Sequence, residues 1–476
     1  MKFKLTALAL VFSIGILSAQ NKKWTLQECV DYALEHNISI QQSELDLKDA
    51  EVNKLDARGN FLPSINAQAS HSWNIGLNQN VTTGILENLT TMFTSGQLSA
   101  NVPLYNGLQN VNRLRRANLA LLANQYRLDD MQDNISLAVA NSYLQILFNR
   151  ENLAVAKAQY AFTEQDLKRT AELVASGVMP KGDLLEIEST AATQQQQIVN
   201  SENNLILSKI SLAQLLVIGD YENFDIADED YSIQATEIMN NSPSEIYATA
   251  LTQRNDIKFA EKNIELTELD IKLAKGTLYP RVTGFYNYNT RASYQDIIGG
   301  FEVDPNNPTR QIGVVDGTGQ SVIAPNTRPI VEAMDPFIYQ LGVNDGHSFG
   351  VALSVPILNG FSAKNSVKRN RINLERSKLQ LDQTKLDLEN TINQAWTSAK
   401  AAIKAHEAAT KTLEARRLAF DYSKERFDVG LMTAFDFSQA QARVDNAEAE
   451  VIRTKYDYIF RIKVLEFYFG LPISLD

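Results

Sequence analysis

Past its first residues the chain has no apolar run near the roughly 18 residues that a membrane-spanning helix needs, which excludes a helical anchor there. It has a single cysteine, Cys29, so no intrachain disulfide can form. Four histidines (His36, His71, His347, His406) are scattered, with no His-x-x-x-His or Glu-x-x-His pair to hold a metal. Neither a Walker loop nor a nucleophile elbow is present, so neither an enzyme nor a cofactor is expected. Positive charge is in deficit, with a formal net charge of −11, which disfavours nucleic acid as a partner. The most informative scarcity is local. Residues 108–176 and 361–429 each run 69 residues without glycine or proline, 253 positions apart. A helix of that length is roughly 100 Å long, which suits a molecule that spans a distance.

The N-terminus reads as a targeting segment. Lys2 and Lys4 precede an apolar run from Leu5 to Leu17, and Leu17-Ser-Ala19 is a small-residue cleavage pattern. A signal peptide over 1–19 is expected, and its loss takes the charge to −13. Cys29 lies ten residues past that cut, too far in for lipidation of a new N-terminus, and is expected to be a small half-buried helix residue. An exported chain without a helical anchor is periplasmic, secreted or in an outer membrane. In the last case it must span as a closed β-barrel, because lipid offers no other way to satisfy backbone groups.

The chain is written twice. Ala33-Leu-Glu-His-Asn-Ile-Ser-Ile40 matches Ala250-Leu-Thr-Gln-Arg-Asn-Asp-Ile257, and Pro63 matches Pro280, at an offset of 217. Pro103 and Pro356, Gly107 and Gly360, Gly177 and Gly430, and Asp183 and Asp436 keep an offset of 253. The difference is a Gly-, Pro-, Asn- and Asp-rich insert, about 296–345, expected to be one long surface loop. The first repeat, 20–219, is expected to hold a leading helix (25–58), strands at about 62–76 and 95–105, a long helix (108–176) and a return helix (183–218). The second, 244–476, repeats this as a helix (244–275), strands at about 279–292 and 347–358, a long helix (361–429) and a return helix (431–469). An acidic linker, 220–243, joins them.

The expected strands alternate with period two: Ile65, Ala67, Ala69, His71, Trp73 and Ile75 against Ser64, Asn66, Gln68, Ser70, Ser72 and Asn74. Phe349, Val351, Leu353 and Val355 alternate with Gly350, Ala352, Ser354 and Pro356, and Phe285 breaks an otherwise polar row. One apolar and one polar face fits a transmembrane barrel with a wet lumen, with Trp73, Tyr105, Tyr279, Tyr286 and Tyr288 as interfacial aromatics. A half-buried sheet in a soluble protein gives the same alternation. Four strands cannot close a barrel alone, since small barrels take about eight, whereas a cyclic trimer supplies about 12.

The signal peptide, Asn37 with Ile40, Leu62-Pro63, the strand-end Pro-x-x-x-Gly (Pro103, Gly107; Pro356, Gly360) and the doubled Gly-to-Asp turn together resemble the TolC-like outer-membrane efflux channels. The resemblance covers the mature chain in order, duplication included. It implies an α+β membrane protein in the outer membrane with a large periplasmic portion. Three copies would give four β-strands each to a 12-stranded transmembrane barrel and their long helices to a periplasmic α-helical barrel with coiled-coil tips. The implied partners are a homotrimer, a periplasmic adaptor protein, an inner-membrane transporter and outer-membrane lipid. The chain would then be the passive exit duct of a tripartite efflux or type I secretion system. A soluble periplasmic coiled-coil scaffold or adaptor is the alternative.

Sites follow from the parts. The turns Gly177-Val178-Met179 to Asp183 and Gly430-Leu431-Met432 to Asp436 put apolar residues at exposed tips, which the resemblance implies meet the adaptor. Asp183 and Asp436 can also simply cap the return helices. Asp421, nine residues before Gly430, is implied by the resemblance to face the lumen as a periplasmic gate, three copies forming an acidic ring. As a bare residue it is a solvated helix charge. Arg115, Arg116, Lys368 and Arg369, after the strand exits, are placed to contact headgroup phosphates or simply to be solvated.

Overall fold

A computed structural model describes residues 23–79, 84–227 and 237–471. The expected signal peptide lies outside them, as do 228–236 of the acidic linker and the tail from 472. The first half comprises β1 (Lys23–Trp24), α1 (Leu26–His36), α2 (Ile38–Gly59), β2 (Ser64–Gln79), β3 (Leu86–Asn106), α3 (Gln109–Ala175) and α4 (Lys181–Leu215). After β4 (Asp225–Ile226) and a 3-10 turn at Glu237–Asn240 come α5 (Pro243–Gln253), α6 (Asn255–Gly276) and β5 (Arg281–Ser293). The chain continues through β6 (Ile297–Val303), β7 (Thr309–Val314), β8 (Ser321–Pro325), β9 (Thr327–Glu332), α7 (Phe337–Val343), β10 (Gly346–Ser354), α8 (Ser362–Asp428) and α9 (Ala434–Phe469). Both ends of α1 and α2 recur 217 residues later in α5 and α6, and both ends of α3 recur 253 residues later in α8.

The described residues of Met1–Asn53, Ala117–Glu268 and Arg371–Asp476 form one compact unit. Its helices are built twice on one plan. Capping boxes start α1 (Thr25 with Glu28) and α5 (Ser242 with Glu245), satisfying amides that the helix itself leaves open. Cys29, Val30 and Ala33 of α1 are buried with Val139, Tyr143 and Leu212; Ile246 and Ala250 of α5 with Leu388, Ile392 and Leu465. Cys29 is fully buried rather than half-buried, since its face of α1 is the core face. The same lock closes both cores. The Tyr143 hydroxyl donates to the Trp24 carbonyl (3.3 Å) and Trp396 Nε1 donates to the Asn241 carbonyl (3.2 Å).

Each leading helix, expected unbroken, is interrupted once, at Asn37 and Arg254, where ψ reaches 129° in both. Neither glycine nor proline is involved. Asn37 Oδ1 accepts the Ser39 amide (2.9 Å) and its Nδ2 donates to the Leu215 carbonyl (2.9 Å), so the side chain replaces the broken helical bonds. Arg254 is buried between Asp130 (3.1 Å) and Asp256 (3.3 Å), beneath the rings of Phe467 and Tyr468. Burial pushes the Asp130 carboxyl above its usual range, against the pull of Arg254.

Lys54–Arg116 and Leu269–Asn370 form the other unit, around an antiparallel sheet in the order β10-β5-β3-β2. Its two hairpins share one register. Ile65 lies opposite Ala100, and Val282 opposite Leu353, the same pair moved by the two repeat offsets. Pairing of β3 with β5 joins the halves, with Ala100 opposite Tyr286. Opposed residues share a face. Ile65, Ala100, Tyr286 and Phe349 therefore form a row on one face, and Asn66, Ser99, Asn287 and Ser348 a row on the other. The apolar row is uncovered, Phe349 being 80% exposed.

Strand β3 starts at Leu86, nine residues before the expected start, because Thr-Thr-Met-Phe-Thr-Ser pairs without alternating. Strand β10 ends at Ser354, leaving Pro356, which has no amide to donate, outside the ladder. The stretch 296–345 is not one loop. It carries β6 paired with β9, β7 paired with β8, and α7. Its glycines, prolines and asparagines punctuate short strands instead of marking a structureless segment. Buried Gln340 of α7 joins it to β5, accepting the Ser293 amide (2.8 Å) and donating to the Ser293 carbonyl (3.0 Å).

Candidate functional site

The turns between long and return helices are paired structures. Gly177 (φ 75°) and Gly430 (φ 77°) occupy the left-handed region that favours glycine. The Gly177 amide bonds the Val174 carbonyl and the Val178 amide bonds that of Leu173; Gly430 to Phe427 and Leu431 to Arg426 repeat the pattern. This closing motif satisfies helix-end carbonyls and throws the next side chain outward. Val178 and Leu431 are 70% and 71% exposed, while Met179 and Met432 are half-buried.

Asp183 and Asp436 do not cap the return helices. The cap positions are Pro180 and Thr433, and both aspartates sit in the first turn. Thr433 Oγ1 accepts the Asp436 amide (3.1 Å) and donates to Asp436 Oδ2 (2.8 Å). A carboxylate in a first turn is favoured by the positive end of the helix dipole, which accounts for both residues.

Behind the tips the two hairpins are laced together. Arg169 of α3 pairs with Asp428 of α8 at 2.7 Å, and Thr190 Oγ1 of α4 lies 2.9 Å from Ser438 Oγ of α9. Buried Phe437 stacks on Phe427 (4.5 Å) and Phe420 (5.4 Å). Further along α9, Asp445 accepts from Gln441 Nε2 (2.6 Å) and Gln194 Nε2 (3.2 Å), and burial pushes its carboxyl up to about 6. The Oε1 atoms of both glutamines are buried without a partner. No motif flags Asp445 in the sequence, since one aspartate on a polar helix has no signature. Asp421 is exposed on α8, and among the described residues no ion pair or hydrogen bond engages its side chain.

In the sheet-containing unit, the strand-to-helix corners at Gly107 (φ 66°) and Gly360 (φ 57°) are each followed by a second left-handed residue, Leu108 or Phe361. A Cβ on Gly107 would sit 2.3 Å from the Gly276 carbonyl oxygen, so glycine is required by space as well as by φ. Pro103 lies beside a register shift in β3, and Pro356 between β10 and Gly360. Arg116 is not free for a headgroup: its guanidinium grips Asp270 with Nε 2.6 Å from Oδ1. Arg115, Lys368 and Arg369 are exposed. Among the described residues no group of three or more His, Cys, Asp or Glu could hold a metal, and no helix is long and apolar enough to cross a membrane.

The family model for outer membrane efflux proteins matches residues 29–216 and 246–470. The chain belongs to this family. The outer membrane efflux protein is 28% identical over 171 residues to the pyoverdine export outer membrane protein OpmQ of Pseudomonas aeruginosa, covering 36% of this chain and 35% of that one. It is 22% identical over 313 residues to the outer membrane efflux protein BepC of Brucella suis, covering 65% and 64%. The matched stretches thus span from about a third to just under two thirds of these relatives. The fold matches the Campylobacter jejuni CmeC outer membrane channel at a TM-score of 0.76 and 16% identity, over 95% of this chain and 86% of that one. It matches CusC at 0.75 and 15% identity, over 96% of each. Its location is the outer membrane.

Proposed function

We propose that three copies of this efflux protein close their sheets into one 12-stranded transmembrane barrel and their long helices into a periplasmic tunnel. The assembly is the passive exit duct of a tripartite efflux or type I secretion system driven by an inner-membrane transporter. One observation carries this reading: a four-stranded sheet with one uncovered apolar face, one polar face, and pairing on one side only of β2 and β10. In water that face and those edges invite aggregation, whereas in lipid a closed ring satisfies both. A soluble scaffold would leave both liabilities open.

The tips at Val178, Met179, Leu431 and Met432 meet a periplasmic adaptor in this reading. Exposed, unpaired Asp421 forms a three-membered acidic ring at the periplasmic entrance, where it favours cations and binds divalent ions. Purified protein in a planar bilayer tests both levels. Expected are trimers in detergent, discrete conductance steps, and divalent blockade that Asp421→Ala weakens. Water-soluble monomers without conductance refute the duct, and unchanged blockade refutes the ring.

A further inference from the structure

We infer that Arg281 and Arg291 line the barrel lumen as two cationic rims that make this part of the duct select for anionic solutes, molecules carrying carboxylate, phosphate or sulfate groups. This deepens the reading above and rests on it.

Strands β2, β3, β5 and β10 carry three charged side chains besides histidine: Glu87, Arg281 and Arg291. Where β3 pairs with β5, from Phe93 to Asn106 and from Arg281 to Ser293, neither face holds a carboxylate. The whole chain has 56 acidic against 45 basic residues, so an acid-free wall departs from its composition. Face parity places both arginines. Asn287 belongs to the polar row; Arg281 lies six residues before it and Arg291 four after it, even steps along one strand. Arg291 pairs with Ser95, which shares the face of Ser99 by the same count.

Exposed Arg291 is held flat against this wall, its Cζ 3.8 Å from the centre of the Phe93 ring on the same face. Stacking occupies one face of the guanidinium and leaves its N–H edge open to an anion. Among the described residues no hydrogen bond or ion pair engages that edge. The Arg291 carbonyl accepts from Asn344 Nδ2 (2.9 Å), at the end of α7, which steadies the strand end that carries it.

Ten residues separate the two arginines, about 33 Å along an extended strand. Tilted by about 45°, as barrel strands are, this becomes about 23 Å of depth, close to the roughly 25 Å apolar band of such barrels. Arg281 follows α6 at the helix end of the sheet, and Arg291 lies at the loop end. Three copies therefore set one ring of guanidinium groups at each rim of the band, a recognised device for passing anions. Glu87, the one carboxylate among these strands, lies six residues beyond Phe93, about 20 Å further along β3, where β5 has ended.

The test is ion selectivity of the full chain in planar bilayers under a KCl gradient, in an Asp421→Ala background that removes the acidic ring proposed above. This parent channel should prefer chloride. Arg291→Gln should shift the chloride-to-potassium permeability ratio toward potassium by at least about twofold at 0.1 M salt, where charges are felt over about 10 Å, and by less at 1 M, where they reach about 3 Å. Arg281→Gln should act in the same direction, the double variant further, and Arg291→Lys should keep the preference. Citrate, a trivalent probe, should block the parent more strongly than Arg291→Gln. A conducting parent that prefers potassium, or a permeability ratio that neither arginine alters, overturns the cationic rims and leaves the duct standing. So does a shift that is as large at 1 M. Channels that never conduct overturn both.

Discussion

Replacing Arg254 with methionine keeps an unbranched apolar stem and removes the guanidinium charge from a site where Arg254 is only 8% exposed. Two carboxylates then lose their counter-ion, Asp130 at 3.1 Å and Asp256 at 3.3 Å, while the Phe467 and Tyr468 rings keep an apolar neighbour. Breaking a buried pair from one side costs about 3–5 kcal/mol. The aspartates retain 26% and 32% side-chain exposure, so water recovers part of this and about 3 kcal/mol is expected. The deficit depends on pH with a definite sign. Burial already raises Asp130, and Arg254 is what lowers it, so the substitution raises it further above its unfolded value. A raised carboxyl contributes stability that is present at low pH and lost as pH climbs through its folded pKa. The variant should therefore approach wild type near pH 5 and fall further behind by pH 8 in thermal melts of the detergent-solubilised protein. Asp130→Asn in the same chain should recover part of the loss. A melt equal to wild type at pH 8, or a deficit that grows on acidification, refutes the reasoning.

Gly107→Ala places a methyl against the Gly276 carbonyl in a left-handed backbone and should cost at least about 2 kcal/mol, read as a lowered melting temperature. Equal melting would mean that the corner yields freely. Asp445, raised from 3.8 to about 6, makes wild type more stable at pH 5 than at pH 7.5. A rise of that size corresponds to about 3 kcal/mol over the whole span from below 3.8 to above 6, about half of it above pH 5, so after solvent screening about 1 kcal/mol or less separates pH 5 from pH 7.5. Asp445→Asn should flatten that part of the pH profile, and an unchanged slope assigns it elsewhere. Val178→Asp with Leu431→Asp should abolish cross-linking to a periplasmic adaptor in cells while trimers persist; undiminished cross-linking excludes the tips as the contact.

The sequence carried the long-range plan better than the local details. Two fixed offsets are written into Pro63 and Pro280, Gly107 and Gly360, and the same offsets relate the helix ends and hairpin registers. Runs free of glycine and proline end where α3 and α8 end, because nothing within them interrupts the backbone and a left-handed glycine terminates each. The breaks at Asn37 and Arg254 were hidden. Both are made by side chains whose partners, Leu215 and Asp130, lie far away in sequence. The hairpins of 296–345 were hidden for another reason: their strands are five to seven residues long, too short for period two to stand out among turn residues. Asp183 and Asp436 admit capping as a plain alternative to a tip role, because residue type alone does not separate a cap from a first-turn carboxylate. The doubled turns single out the tips, and the resemblance supplies their adaptor role and Asp421; the structure adds the exposure of Val178, Leu431 and Asp421.

Helices α3 and α8 each run 67 residues with neither glycine nor proline inside. Such rods have no glycine or proline crease at which to fold, so any bending is shared among many turns, about 3–5° each at a curvature radius of roughly 60–100 Å. In the proposed duct, a tug on Val178 or Leu431 would therefore spread as torsion and sliding along whole helices instead of opening a local flap.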